Sequence, residues 1–218
     1  MASVQYPYQY FGSGVGIGEL SNFASVTFEL DGQAWPSSEH AYQACAKVHK
    51  DDWRRFGVDG DLGSLESGLK RVFPERDYAK KLKHYSAKGS RPEMVGIVAK
   101  MAVRPDIAKK LGLRLMPLTE TEKWMEAIKA LFVRILFAKY KQNPAYKALL
   151  MGTGTQHLVE FSRGAERETL KGRPPLWTGM VVNGSKLGLG LMVGGELMGQ
   201  NLQGELQMMV RRNLSSEA

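Results

Sequence analysis

The chain has 218 residues, and its 43% hydrophobic and 24% charged contents are ordinary for a soluble globular protein. This length fits one domain with a sizeable buried core. The single cysteine, Cys45, excludes an internal disulfide framework and any zinc site built from several cysteines, so we expect it to serve in packing. The net charge of +8 is compatible with a polyanionic partner, either nucleic acid or a pyrophosphate-bearing ligand.

The N-terminal segment predicts neither a secretory signal nor a membrane span. It lacks a basic start followed by an apolar core, and no apolar run in the chain approaches ~18 residues. Residues 1–18 read as an extended loop whose alternate glycines lack the Lys-Ser/Thr pair of a phosphate-binding loop. We expect flexible ends at residues 1–10 and 215–218, and a cytoplasmic location with the nucleus as the alternative.

A short strand and a tight turn precede the most informative helix. The segment Val26–Leu30 alternates apolar and polar residues, which predicts a strand, and Asp31-Gly32 is a turn signal. Ser37 is a good N-cap for a helix over residues 38–48, because its hydroxyl can accept a bond from a first-turn amide.

Glu39 stands in the first turn of this predicted helix. The positive end of the helix dipole favours its ionised form, and Tyr42 and Gln43 follow on the same face. A carboxylate beside an aromatic ring and an amide suits a pocket for a polar small molecule. The alternative is an acid that only stabilises the start of its helix.

The middle of the chain predicts a surface loop over Gly57–Gly68 and then three helices. These are placed around Asp77–Tyr85, Pro92–Met101 and Pro105–Leu111. The segment Lys70–Arg91 is rich in basic residues with interleaved aromatic residues, and such a segment can follow a phosphate backbone and stack on bases. The alternative is a solvated helix face whose aromatic rings point inward.

The strongest helix pattern begins near Thr119, where Thr119-x-x-Glu122 fits a capping box. An apolar stripe at helical spacing follows from Trp124 to Leu136, and Asn143-Pro144 ends the helix. This helix is expected to be central to the core. The pattern alone assigns Trp124 to packing as well.

The C-terminal third predicts mixed elements. We expect a short helix over Ala145–Met151, a strand over His157–Phe161, a polar loop over Ser162–Pro175 and a glycine-interrupted helix over Leu187–Leu214. No histidine has a partner at metal-ligand spacing, so neither a metal nor another cofactor is expected. The predicted fold class is mainly α with a few short strands, in a single domain over residues 1–218.

Six blocks in order resemble the signature of the NADAR (YbiA-like) family. The matching segments are Leu20-Ser21-Asn22-Phe23 with Asp31-Gly32, Trp35-Pro36-Ser37-Ser38-Glu39-His40, Trp124 with Phe137-Ala138-Lys139, Leu149-Leu150-Met151-Gly152-Thr153-Gly154, Leu158-Val159-Glu160, and Trp177-Thr178-Gly179 with Lys186-Leu187-Gly188. They extend from about residue 10 to about residue 193. One such block would be weak evidence, whereas six in order make a specific signal.

The resemblance implies an N-glycosidase that cleaves a ribosyl C1′–N bond. Members of the family act on ADP-ribose-like or ribosylamine substrates, including ADP-ribose attached to guanine in nucleic acid and early intermediates of the riboflavin pathway. Carried over to this sequence, the family pattern places Glu39 and Trp124 in catalysis. The residues expected to bind the substrate are Asn22, Phe23, Trp35, Gln43, Lys47, Trp177 and Glu168.

The sequence departs from the family pattern around Trp177. The aspartates that flank this tryptophan in the family are absent, and the connection before it is longer. Glu166 or Glu168 within that connection can substitute for them, and Lys47 stands one place beyond the family lysine. Two alternatives therefore stay open: a protein that binds ADP-ribose or NAD without turnover, and a basic nucleic-acid-binding protein that uses Lys80, Lys81 and Lys83.

Overall fold

The computed structural model describes residues 7–12, 16–117, 122–173, 175–183, 185–186 and 191–216. The chain divides into two compact units. A terminal unit comprises Met1–Ser21 and Ala145–Ala218, and a central unit comprises Asn22–Pro144. The predicted capping box at Thr119 and the outermost parts of both predicted flexible ends lie outside the described residues. The expectation of a single domain stays a prediction.

Helices dominate the described residues, which confirms the predicted fold class. Those of the central unit are α1 (Ser38–Lys47), α2 (Leu65–Val72), α3 (Glu75–Tyr85), α4 (Ile97–Ala102), α5 (Pro105–Leu111) and α6 (Glu122–Gln142). Those of the terminal unit are α7 (Pro144–Gly152), whose first residue belongs to the central unit, α8 (Arg163–Leu170) and α9 (Leu202–Ser216). A 3₁₀ helix over Lys50–Phe56 follows α1, and another covers Gly18–Leu20.

The strands are short and form three small sheets. They are β1 (Tyr8–Phe11), β2 (Phe28–Leu30), β3 (Gln33–Trp35), β4 (His157–Glu160), β5 (Met180–Val182), β6 (Ser185–Lys186), β7 (Leu191–Val193) and β8 (Glu196–Met198). The four-stranded sheet has the order β4-β1-β7-β6, with β1 parallel to β4 and antiparallel to β7. β2 pairs with β3 and β5 with β8, both antiparallel.

The central unit places α1 against α6 beside the β2–β3 hairpin. Asp31 (φ 54°) and Gly32 (φ 76°) take the left-handed conformation that a two-residue hairpin turn requires, as the sequence predicted. The side-chain amide of Gln142, at the end of α6, donates to Glu29 O and accepts from Glu29 N, both at 2.8 Å. This pair continues the hydrogen bonding of β2 beyond its own partner strand and fixes α6 against the hairpin.

The terminal unit is built around β1 and the link between β4 and α9. Asn201 accepts a bond from Glu160 N (3.0 Å) and donates to Leu158 O (2.8 Å), so its buried side chain joins β4 to the start of α9. The Tyr10 hydroxyl accepts a bond from Val181 N at 2.7 Å. These contacts order a segment that contains few regular elements.

Several predicted elements were wrong. Residues 8–10 lie in β1 and residues 215–216 in α9 rather than in flexible ends, and α2 begins inside the predicted Gly57–Gly68 loop. The predicted Ser162–Pro175 loop contains α8. Of the predicted helix over Leu187–Leu214, residues 187–190 lie outside the described residues, and β7 and β8 occupy the next part. The adjacent Gly194 and Gly195 adopt positive φ and turn the chain back between these strands before α9 starts.

Candidate functional site

Glu39 is buried at the start of α1, with a relative exposure of 6%. Ser37 caps the helix by accepting a bond from His40 N at 3.3 Å, as predicted. The Glu39 N–H donates to the Asn22 carbonyl oxygen at 2.9 Å, so the segment before β2 is fixed to the first turn of α1. Asn22 is itself buried, and this backbone contact is how the structure brings it beside Glu39.

Gln43 lies one turn after Glu39 and bonds directly to its carboxylate. The Gln43 Nε2 donates to Glu39 Oε1 at 2.7 Å, which confirms that the two side chains share a face of α1. Within the described part of the chain, the buried Gln43 Oε1 and Ser38 Oγ have no hydrogen-bond partner. Because buried polar atoms rarely lack partners, these two atoms give the first two turns of α1 spare hydrogen-bonding capacity.

The electrostatic environment of Glu39 differs from the expectation based on the helix dipole alone. Burial raises the pKa of Glu39 above its ordinary value, and this effect outweighs the opposing effects of the Gln43 hydrogen bond and of the Lys100 and Lys47 charges. Lys47 is the last residue of α1, and its Nζ lies 5.5 Å from the centre of the Tyr42 ring. The carboxylate is thus poorly solvated but lies within the field of two cations.

Phe23 and the start of α4 form a wall beside Glu39. Gly96 donates its N–H to Phe23 O at 3.0 Å, and a methyl group at Gly96 would lie 2.7 Å from Phe23 Cα and 2.8 Å from Glu39 Cβ. One turn later, Lys100 places its Nζ 5.3 Å from the centre of the Phe23 ring. The sequence analysis missed Gly96 and Lys100, because neither belongs to a recognisable motif and only the fold brings them to Glu39.

Trp124 lies in the first turn of α6 and is partly exposed. The Tyr42 and Phe132 rings are 4.4 Å apart, so α1 and α6 pack on each other. The role of Trp124 in catalysis stays a prediction.

Trp35 belongs to the predicted substrate-binding set, but the structure buries it. The side chain is fully buried, and its indole N–H donates to Leu30 O at 3.1 Å within the hairpin. Its ring meets the Trp53 ring edge-on, with centroids 6.3 Å apart. The tryptophan therefore packs the hairpin against the neighbouring 3₁₀ helix and has no surface left for a ligand.

Two further predicted residues, Trp177 and Glu168, lie in the terminal unit. Trp177 is partly buried between α8 and β5, and its carbonyl accepts a bond from Gln203 N at 3.2 Å. The carboxylate of Glu168, on α8, pairs with Arg173 Nη2 at 2.8 Å and Lys171 Nζ at 3.1 Å. Two local cations thus hold the acid that was predicted to replace the missing aspartates. Glu166, the other candidate, lies on the same helix. The roles of Trp177 and Glu168 in binding stay predictions.

The buried histidine and cysteine near the site have structural environments. His40 is bonded through Nε2 to Leu62 O (2.9 Å) and through Nδ1 to Ser37 Oγ (2.8 Å), and burial lowers its pKa to about 4. Burial also raises the pKa of Cys45 to about 12, in keeping with a packing role. Among the described residues, no group of three or more His, Cys, Asp or Glu side chains is placed to hold a metal ion.

No helix in the described ranges is both long and apolar enough to cross a bilayer. No protein-family model matches the sequence. Two curated relatives do: N-glycosidase YbiA of Escherichia coli (strain K12) and N-glycosidase YbiA of Shigella boydii serotype 4 (strain Sb227). Each is 24% identical over 146 residues, which cover 66% of this chain and 63% of the relative. The match thus spans less than two thirds of the length of these relatives.

Among solved structures, the NMR structure of the E. coli protein YbiA is similar to this chain. It shows 20% sequence identity and a TM-score of 0.43, and the alignment covers 99% of this chain and 91% of the other. The sequence similarity to the two YbiA proteins agrees with the resemblance that the ordered motifs indicate. It confirms the predicted resemblance of this chain to YbiA.

Proposed function

We propose that this protein is an N-glycosidase that hydrolyses a ribosyl C1′–N bond, with Glu39 as its central catalytic residue. The observation that carries the proposal is a buried carboxylate in the first turn of α1, bonded to Gln43 and flanked by Lys47 and Lys100. The two YbiA relatives bear the name N-glycosidase, which supports the same reaction class.

The chemistry follows from the charge that develops at the sugar. As the C1′–N bond breaks, its electron pair moves to the base nitrogen and positive charge spreads over C1′ and the ring oxygen. Water then bonds to C1′, and one of its protons ends on the departing nitrogen. A carboxylate beside C1′ stabilises this cation and can also accept the proton from water.

Burial suits Glu39 to this role. The pKa of Glu39 is raised because the ionised carboxylate is poorly solvated, and a poorly solvated anion gains more from an adjacent cation than a hydrated one does. Lys47 and Lys100 oppose this effect and favour the ionised form that the reaction needs. The positive charge that develops on the sugar in the transition state compensates for the poor solvation of the Glu39 carboxylate in the free site.

The surroundings of Glu39 suit a ribosyl group with a base. The unpartnered Gln43 Oε1 and Ser38 Oγ can accept bonds from sugar hydroxyls, and Gln43 is held in place by the carboxylate. Phe23, at the wall formed with α4, and Trp124, at the start of α6, can stack on the leaving base. Asn22 fixes the first turn of α1 through its backbone.

For the substrate, we propose ADP-ribose attached to guanine, free or in nucleic acid. The two lysines support a substrate with phosphate groups: each lies over an aromatic ring, Lys47 over Tyr42 and Lys100 over Phe23. A ribosylamine phosphate of the riboflavin pathway meets the same requirement and is the alternative substrate. A cytoplasmic location is part of the same proposal.

One observation favours a second candidate, a protein that binds ADP-ribose or NAD without turnover. The acids that flank Trp177 in the family are absent, and the carboxylate of Glu168 is paired with Arg173 and Lys171. If the reaction needs a free carboxylate next to Trp177, that of Glu168 is engaged in these ion pairs.

A substrate panel separates these candidates. Purified protein is incubated with ADP-ribosylated guanosine, an oligonucleotide that carries the same modification, and a ribosylamine phosphate, and the released base and sugar are separated by chromatography. We expect release from at least one substrate by the wild type and none by Glu39→Gln. Calorimetric binding of ADP-ribose without product from any substrate would instead assign the protein to the binding class.

A further inference from the structure

A basic cleft of about 500 Å³ lies at the C-terminal end of α3. Its described lining consists of Lys80, Lys81, Lys83, His84, Tyr85, Lys88 and Arg91. The first five of these residues belong to α3 and the last two to the turn that follows it. No acidic residue is among them, so the cleft carries five full positive charges and a histidine. We call it the α3 cleft.

The cations of the α3 cleft are not used in ion pairs within the described ranges. Asp77, which stands three residues before Lys80 and four before Lys81, has Arg76 as its ion-pair partner at 3.6 Å. Lys81 instead places its Nζ 5.1 Å from the centre of the Phe73 ring. The nearby Glu66 is paired with Lys70 at 2.9 Å, outside the cleft. Asp77 and Glu66 thus have ion-pair partners outside the cleft lining.

The frame of the cleft is held by backbone contacts. Arg91 Nη2 donates to His84 O (2.6 Å) and Ser86 O (3.1 Å), which fixes the turn to the end of α3. Lys88 and Arg91 exchange two backbone hydrogen bonds of 3.1 Å each. Arg91 Nε is buried and has no partner among the described atoms, so one donor of the guanidinium stays unused at this cleft.

The clustering of lysines in the α3 cleft costs free energy that a solvent-exposed helix face of mixed charge would not. Lys80 and Lys83 are three residues apart on one helix face, where like charges repel by a few tenths of a kcal/mol. Surfaces that serve solubility alone usually mix both signs of charge. A cleft of one sign on a fixed frame suits a polyanion, whose binding releases counterions and removes the repulsion.

We infer that the α3 cleft binds the phosphodiester backbone of a single-stranded nucleic acid. The His84 and Tyr85 rings meet edge-on with centroids 4.7 Å apart beside the lysines, which offers aromatic surface for an unpaired base. A membrane surface fits less well, because such binding needs apolar side chains to insert and the exposed large hydrophobic residues of the described chain lie outside α3. The inference goes beyond the proposed hydrolysis, since the cleft lining does not include Glu39.

The test measures binding of a fluorescent single-stranded oligonucleotide by anisotropy over a series of salt concentrations. In the test variant, Lys80, Lys81 and Lys83 are all replaced by Gln. The matched control replaces three exposed lysines outside the cleft by Gln: Lys109 and Lys110 on α5, and Lys129 on α6. These substitutions remove the same amount of positive charge. Circular dichroism and thermal unfolding verify that both variants stay folded.

Three lost phosphate contacts should flatten the slope of log K against log salt by about 2 and weaken binding roughly 100-fold at ~0.1 M salt. The control should retain most of the affinity. Equal losses in both variants would show that only the net charge acts and would overturn the inference. Equal or tighter binding of polyglutamate or of anionic vesicles would also overturn it, in favour of an acidic protein or a lipid surface. Neither measurement needs turnover, so a failure here is separate from a failure of the proposed glycosidase.

Discussion

Replacing Gly96 by alanine tests whether α4 packs on Phe23 and Glu39 as closely as the structure shows. Gly96 has φ −57° and ψ −16°, a conformation that alanine adopts without strain. The added methyl group would lie 2.7 Å from Phe23 Cα, 2.8 Å from Glu39 Cβ and 3.1 Å from Ser37 Oγ. The first two distances are too short for carbon atoms, so either α4 or the Phe23 and Glu39 segments must move.

The size of the effect follows from the atoms involved. Phe23 Cα is a backbone atom and Glu39 Cβ is attached directly to the backbone of α1, so neither can rotate away. Overpacking of this kind costs about 1–3 kcal/mol. For a chain of this length, that corresponds to a fall in Tm of roughly 2–12 °C. A displacement of Glu39 of about 1 Å can also lower catalysis by roughly 100-fold.

Thermal or denaturant unfolding of Gly96→Ala and of the wild type measures the change in the free energy of unfolding. Turnover of the substrate found in the panel measures the change in catalysis. Gly164→Ala is the control, because no described atom outside the local backbone of α8 lies within 4 Å of a methyl group at that position. There the same change should leave the protein unaltered or stabilise it by up to about 1 kcal/mol. If Gly96→Ala unfolds and turns over like the wild type, the close approach of α4 to Glu39 is wrong.

Three other predictions concern pH and packing. Burial raises the pKa of Glu39 in the folded state, so the folded protein favours the neutral carboxyl group. The contribution of Glu39 to folding stability is therefore fully present below its ordinary pKa and is lost as the pH rises through the folded-state pKa. Glu39→Gln should therefore be more stable than the wild type at neutral pH, with the difference shrinking toward pH 4; equal denaturant midpoints at both pH values would contradict this. His40, whose pKa is lowered to about 4, should keep a neutral imidazole down to that pH in an NMR titration. Its contribution is lost between about pH 6.5 and 4, with a slope of up to ~1.4 kcal/mol per pH unit, and a midpoint near 6.5 would refute its burial. Trp35→Phe should lower the free energy of unfolding by about 1–3 kcal/mol by leaving Leu30 O unpaired, with little change in KM; a large KM increase would restore Trp35 to the site.

The features that the sequence predicted well are set by neighbouring residues. The Ser37 cap, the turn at Asp31-Gly32 and the shared face of Glu39 and Gln43 each depend on residues at most four positions apart. Local hydrogen bonding and helical geometry decide such contacts, whatever the rest of the chain does.

The helix and strand errors arose where local signals were ambiguous. The segment that contains α8 is rich in charged residues and resembles a loop in composition, yet its charges pair at helical spacing, as Lys171 does with Glu168. In the segment that follows residue 186, the sequence alone indicates a helix that glycines interrupt. Gly194 and Gly195 instead allow a left-handed turn between two strands.

The residues missed or wrongly assigned around the site depend on contacts distant in sequence. Gly96 and Lys100 reach Glu39 only because α4 packs on α1, across more than fifty residues of chain. Trp35 matches the family motif and is an aromatic residue just before the helix that carries Glu39, a combination that indicates a pocket residue. Its burial depends on Trp53 and Leu30, and no pattern in its own segment indicates these contacts.

The most direct test of the central claim is kcat/KM for Glu39→Gln on the best substrate of the panel. Glu126→Gln, an exposed acid on α6, serves as the control. If Glu39 stabilises the sugar cation or activates water, its loss should lower kcat/KM by about 100-fold or more, while the control stays close to the wild type. A Glu39→Gln variant that keeps wild-type turnover with a correctly folded α1 would contradict the claim.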